Sequence, residues 1–134
     1  MEYQISYWVF AVTLTLAALT SAHEKTGWVV PEEAKKVKNP APMTKESLRK
    51  GKEIHEKKCA TCHGVNGDGK GPVAAGLDPK PTNFREHHKM EMPDGELFWK
   101  ILIGRGPMPS YGKELSQEEI WHVVNYIDTF TAPE

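Results

Sequence analysis

Residues 64–92 constrain this chain more than any other stretch. They are rich in Gly, Pro, Asn, Asp and Lys and show neither strand alternation nor helical periodicity over nearly thirty positions. A loop of that length with no structure of its own is uncommon inside a small domain. Something other than side-chain periodicity must organise it. The whole chain is 134 residues long, which suits one domain. Gly and Pro together make about 16 % of it, against ~12 % in average usage, so loops are a general feature of the fold. Seventeen basic residues against 18 acidic ones give no electrostatic reason to expect nucleic acid. This arithmetic excludes a collagen, a coiled coil, a polytopic membrane protein and a repeat array.

The ends of the loop are set by helices. The first is predicted over 44–58, with Thr44 as N-cap and Ser47, Leu48 and Ile54 along it. The second follows Pro93-Asp94, with Asp94 as cap, Leu97, Phe98, Ile101 and Leu102 at helical spacing, and Gly104 as the stop. The third carries the strongest local signature. Ser116 and Glu119 form an S-x-x-E capping box, and Ile120, Val123, Val124, Ile127 and Phe130 form an apolar stripe. No strand of useful length appears, so the fold class is all-α with long loops.

Ahead of the first helix lie two segments of different character. Residues 7–19, YWVFAVTLTLAAL, are uncharged and too short to span a bilayer as a helix. Thr20-Ser21-Ala22 supplies the small residues of a processing site, which predicts a signal peptide over 1–22 and export from the cytoplasm. An uncleaved membrane anchor is the alternative, since no Lys or Arg precedes the apolar run. Residues 23–43 are polar and punctuated by Pro31, Pro40 and Pro42, and read as an extended arm with a short helical turn after Pro31. The main domain occupies 44–134.

Both cysteines fall in Cys59-Ala60-Thr61-Cys62-His63. Two thiols one helical turn apart followed at once by His is the attachment signature of c-type haem. The thiols can add to the two vinyl groups of one porphyrin, and His63 follows as an axial ligand to iron. The same C-x-x-C occurs in zinc sites and redox dithiols. Zinc needs two further ligands with cysteine or histidine spacing, and no second C-x-x-C exists; a dithiol of the thioredoxin type needs a βαβ context, which is absent.

The second axial ligand is expected from Met108, in Gly106-Pro107-Met108-Pro109. Prolines on both sides fix the backbone around it, which suits a ligand that must arrive in one geometry. Its thioether raises the reduction potential relative to a second imidazole. Met43, Met90 and Met92 are assigned to core filling. Among the histidines, His55 and His122 are expected on helix surfaces and His87-His88 on a solvated loop.

With these residues in place the sequence resembles the class I cytochrome c family. The matching elements are Cys59 to Gly64, the run Asn66-Gly67-Asp68-Gly69-Lys70-Gly71-Pro72, the Met108-Pro109 loop and the helix from Ser116. The resemblance implies a small cytochrome c-like domain of three main helices, with long loops wrapped around one covalent haem c. It implies that Gly51 lets the first and last helices cross closely, against Trp121 or Tyr126. It also implies that the carbonyl of Pro72 accepts a hydrogen bond from His63, orienting the imidazole.

The apolar pocket is expected from Leu77, Phe84, Leu97, Phe98, Trp99, Ile101, Leu102 and Tyr111. Trp99 or Tyr111 would hydrogen-bond a propionate, and Arg105 would balance its charge. The function so implied is one-electron transfer between redox proteins outside the cytoplasm, with no small-molecule substrate and no nucleic acid. Three alternatives stand beside it: a fixed haem subunit of a larger membrane or dehydrogenase complex, a haem enzyme or gas sensor with a labile sixth ligand, and a metal-binding module without haem.

Overall fold

The computed structural model describes residues 27–86 and 92–131. The expected signal segment, His87, His88 and Met90 lie outside the described residues. In chain order the helices are α1 (Glu32–Lys35), α2 (Lys45–Ile54), α3 (Ala60–His63), α4 (Asp94–Ile103) and α5 (Gln117–Asp128). Among the described residues there is no β-strand. None of the described helices is long and apolar enough to cross a membrane.

The cap of α2 is the one its sequence asks for: Thr44 is extended and its hydroxyl accepts from the Ser47 N–H at 3.1 Å. The helix does not stop at Ile54. It passes through one π-helical turn, His55–Cys59, directly into α3, so a continuous rod delivers Cys59, Cys62 and His63. A π turn is rare and marks functional sites more often than chance. Gly64, at φ 79°, ends the rod.

α5 crosses α2 closely, and Gly51 is the reason. A β carbon there would overlap the His122 carbonyl and lie 2.8 Å from the β carbon of Tyr126. Trp121 is not at this crossing; it stacks on Phe98 with ring centroids 4.0 Å apart. The capping box of α5 is fully formed, with the Ser116 hydroxyl accepting from the Glu119 N–H and the Ser116 N–H donating to the Glu119 carboxylate at 2.7 Å. Ile120, Val123 and Val124 have no exposed surface, and each such aliphatic side chain contributes ~1.5–3 kcal/mol by leaving water. α4 begins at Asp94 itself, with Pro93 in the cap position, so the cap expected of Asp94 is not made.

Two surface assignments are corrected. Ser47, Gly51 and His55 recur every four residues on the face of the rod turned to α5, and all three are buried. His55 is fully enclosed against Tyr126 and Phe130, with ring centroids 5.4 and 5.3 Å away. His122 is buried as well. Asn125 donates to the Ser47 hydroxyl oxygen at 2.8 Å, which leaves the Ser47 proton for Nδ1 of His122, also at 2.8 Å. Polar side chains could be placed inside because these bonds satisfy most of them.

Candidate functional site

The long loop after the rod is organised by main-chain hydrogen bonds to the rod's last carbonyls. The N–H groups of Gly69, Gly71 and Val73 donate to the carbonyls of His63, Cys62 and Thr61 at 2.8, 3.0 and 3.2 Å. These are carbonyls that a helix end leaves without internal partners. Gly71 admits this approach because any side chain there would strike the Thr61 and Ala60 carbonyls. Further along, the Phe84 N–H donates to the Gly67 carbonyl at 2.7 Å, closing the loop on itself.

The closed loop brings two groups to His63. Phe84 stacks on its ring at 4.7 Å and 19°, and the Thr82 carbonyl stands 3.2 Å from Nδ1. A carbonyl only accepts, so Nδ1 carries the proton and Nε2 presents its lone pair. Burial lowers the pKa of this imidazole, and the Thr82 bond partly opposes that. The ring is thus kept neutral and in the tautomer a metal ligand requires. The carbonyl expected for this place was that of Pro72. Pro72 is exposed, and Thr82 holds the position instead.

α4 ends in a second anchored loop. Arg105 and Met108 exchange main-chain hydrogen bonds of 2.8 and 3.0 Å across Gly106-Pro107. The N–H groups of Tyr111 and Gly112 and the Ser110 hydroxyl then return to the carbonyls of Ile101 and Leu102 at 2.7–3.1 Å. The two loops therefore follow one rule, each tied to the open C-terminus of the helix it leaves.

Between them lies a solvent-connected cavity of about 960 Å³, lined by Cys59, Cys62, His63 and Met108 together. Of the apolar residues expected in its wall, Leu77, Phe84, Leu97, Ile101 and Tyr111 are there. Phe98, Trp99 and Leu102 are not among the lining residues: Phe98 stacks on Trp121, and Trp99 meets Trp28. Arg105 lines the cavity as expected, while the Tyr111 hydroxyl is committed to the Lys58 carbonyl at 2.9 Å. Burial pushes both the Cys59 thiol and the Tyr111 phenol up to about 12. Met92, assigned to core filling, packs against the core and also reaches the cavity.

The donor set tests which group would fit. Cys59 and Cys62 are free thiols, not a disulfide. Among the described residues no three His, Cys, Asp or Glu side chains converge where a bare metal ion could be held. Two thiols, one imidazole with a free Nε2 and two thioethers, those of Met92 and Met108, around a mostly apolar cavity fit covalent haem c. Sequence reasoning did not find Thr82, whose contribution is a backbone oxygen, nor the place of Trp28 and Lys100 in the wall.

Comparison with known proteins agrees with this geometry. Residues 46–127 match the family described as cytochrome c oxidase, cbb3-type, subunit III. Cytochrome c6 of Euglena gracilis is 30% identical over 79 residues, which take in 59% of this chain and 87% of that protein. A chain of the Kuenenia stuttgartiensis reducing HAO-like protein complex is similar in structure, with a TM-score of 0.62 and 30% identity over 69% of this chain and 47% of that one. This chain thus spans about half the length of that solved chain. The KustC0563 c-type cytochrome has a TM-score of 0.54 at 24% identity, covering 61% of this chain and 98% of its own, a likeness of fold.

Proposed function

The chain belongs to the cytochrome c oxidase, cbb3-type, subunit III family and is a class I c-type cytochrome, and from that premise we propose how it holds its haem and where it works. As a member it is a haem electron carrier. We assign the two thioether bonds to Cys59 and Cys62 and the axial positions to His63 and Met108. One observation carries the assignment: a single cavity gathers these four side chains, with the His63 Nδ1 proton turned away to the Thr82 carbonyl. Haem bound there supplies a reversible Fe(III)/Fe(II) couple.

The chain's own residues do the rest. Phe84 and Thr82 fix the imidazole plane and its tautomer, so Nε2 is ready without rearrangement. Pro107 and Pro109 limit where Met108 can go, and the Arg105–Met108 bridge closes the turn that carries it. Met92 is the rival sulfur in the same wall; like Met108 it packs against the core, but it sits just ahead of α4 and has a proline on one side only. With His63 and Met108 both holding the iron, the site would leave no position for a substrate. The electron donors and acceptors are then other redox proteins, and the uncharged run 7–19 supports work outside the cytoplasm.

The test is a visible spectrum of protein matured with haem-attachment machinery, in oxidised, reduced and carbon-monoxide-treated reduced forms. A low-spin c-type spectrum with a thioether-to-Fe(III) band and no carbon monoxide response is expected. A high-spin or carbon-monoxide-sensitive form overturns Met108 ligation and favours a ligand-binding haem protein. A second reading, a fixed haem subunit, is favoured by the resemblance to a chain of the HAO-like complex. Stoichiometric partners retained through purification from native cells support it, and a free monomer in the soluble extracytoplasmic fraction counts against it.

A further inference from the structure

Residues 27–43 precede the family-matched region, which starts at residue 46. They nevertheless pack onto the body at two separate points. α1 lies on α4 where Gly95 is buried, and a methyl group at Gly95 would overlap the carbonyl of Ala34. Further along, Asn39 donates to Asn125 Oδ1 at 2.9 Å and to the Trp121 carbonyl at 3.2 Å, while Asn125 donates back to the Ala41 carbonyl at 3.1 Å. Ahead of α1, Trp28 meets Trp99 edge to face at 6.2 Å and lines the cavity beside Lys100 and Arg105. Both cations lie over its indole, the Lys100 ammonium at 5.7 Å and the Arg105 guanidinium at 5.9 Å. Lys100 also pairs with Glu96 at 2.6 Å, and both side chains are largely buried.

We propose that Trp28 is a positioning residue for electron transfer, closing the cavity wall against water and holding Lys100 and Arg105 there, so that the reduction potential is raised. The inference rests on the haem reading of the cavity. Ferric haem carries one more positive charge than ferrous haem. Water stabilises the more charged form, whereas nearby cations destabilise it. Excluding water and retaining the two cations therefore act in the same direction, toward Fe(II). Glu96 offsets part of the Lys100 charge, but exclusion of water by the indole is unaffected by it. The aromatic face holds the cations through its quadrupole, which Phe retains and Ala lacks.

The experiment is redox titration of the full-length haem-loaded protein and three variants. Trp28→Ala is expected to shift the equilibrium toward Fe(III) by roughly fivefold, about 40 mV lower at ~59 mV per decade for one electron. Trp28→Phe, which keeps an aromatic face, is expected to stay within about twofold of the parent. Gly95→Ala, which replaces no wall residue but lifts α1 from α4 and with it the segment carrying Trp28, is expected to move in the same direction as Trp28→Ala. The reduced spectra stay unchanged in all three, because the axial ligands are untouched. A Trp28→Ala potential within twofold of the parent overturns the proposal, as does a Trp28→Phe shift as large as that of Trp28→Ala. A parent protein with no c-type spectrum overturns the haem reading itself, a failure recognised before any variant is compared.

Discussion

His63 reaches the cavity at the end of a continuous helical rod, whereas Met108 reaches it from a short turn between two helices. The histidine is held from three directions: by the rod, by a hydrogen bond to Thr82 and by the face of Phe84. Phe84 is itself backed by Phe130 and, behind that, by His55 and Tyr126, so the support is an aromatic column reaching the α2–α5 crossing. The methionine packs its side chain against the core, and its backbone is fixed by two prolines and a pair of main-chain bonds. Over-determination on one side and a single turn on the other predict that disturbance of the histidine side is felt as lost stability. Disturbance of the methionine side is felt as a change of ligand with the fold intact.

The largest stability effect is therefore expected from Phe84→Ala. Phe84 is 6% exposed, lines the cavity and stacks on His63. Removing a buried phenyl ring costs about 3–5 kcal/mol through lost burial and the cavity left behind. Denaturant titration of the haem-loaded protein measures it. A loss under about 1 kcal/mol would show that the column is not the support described above and would break the comparison.

Acid tests the same column from its far end. Burial pushes the His55 imidazole down to about 4 from an ordinary 6.5; His63 nearby adds to the effect and Glu56 opposes it. Below pH 6.5 the unfolded chain takes up a proton that the folded chain refuses, so stability present above 6.5 is lost as pH falls toward 4. The full effect is about 3 kcal/mol. Stability measured across pH 4–7 is expected to show this slope, and His55→Leu to flatten it. An unchanged slope in that variant would assign the acid sensitivity to other groups.

Met108→Ala is expected to invert the pattern. The side chain is half-buried, so the stability cost is about 1–2 kcal/mol, well below that of Phe84→Ala. The reduced protein should nonetheless bind carbon monoxide, a response not expected of the parent. Met92→Ala is the control in the same wall and is expected to leave the spectrum low-spin. If Met92→Ala opens the iron and Met108→Ala does not, the ligand assignment passes to Met92.

What the sequence made legible follows from the kind of interaction involved. The capping box at Ser116 and Glu119, the Thr44 cap and the C-x-x-C-H segment are side-chain patterns over a few positions, and all could be read directly. The burial of His55 and His122 was not read, because a helix face of Ser47, Gly51 and His55 carries no apolar signal. Its regular spacing of four was the available clue. The order of residues 64–86 rests on main-chain bonds to carbonyls of Thr61, Cys62 and His63, which leave little trace in side-chain identity beyond the glycines. For the same reason the resemblance pointed to Pro72 for a carbonyl that Thr82 supplies. Trp28 was not read as part of the cavity wall, since nothing local to residue 28 says that the chain turns back to the cavity.

The smallest effect sharpens the comparison most. The Ser110 hydroxyl donates to the Leu102 carbonyl at 2.7 Å, and the Gly112 N–H donates to that same carbonyl at 3.1 Å. In Ser110→Ala the carbonyl keeps one partner and the site is exposed, so the stability loss is expected to be only about 0.5 kcal/mol. Ser110 lies two residues after Met108, and its bond is one of the few that tie this turn to α4. If the turn is the main support of Met108, loosening it should speed replacement of the thioether by added imidazole while leaving the denaturation midpoint almost unmoved. Stopped-flow mixing of the oxidised protein with imidazole reads the rate. An unchanged rate would mean that Met108 is held by more than its turn, and the two sides of the cavity would be more alike than their contacts indicate.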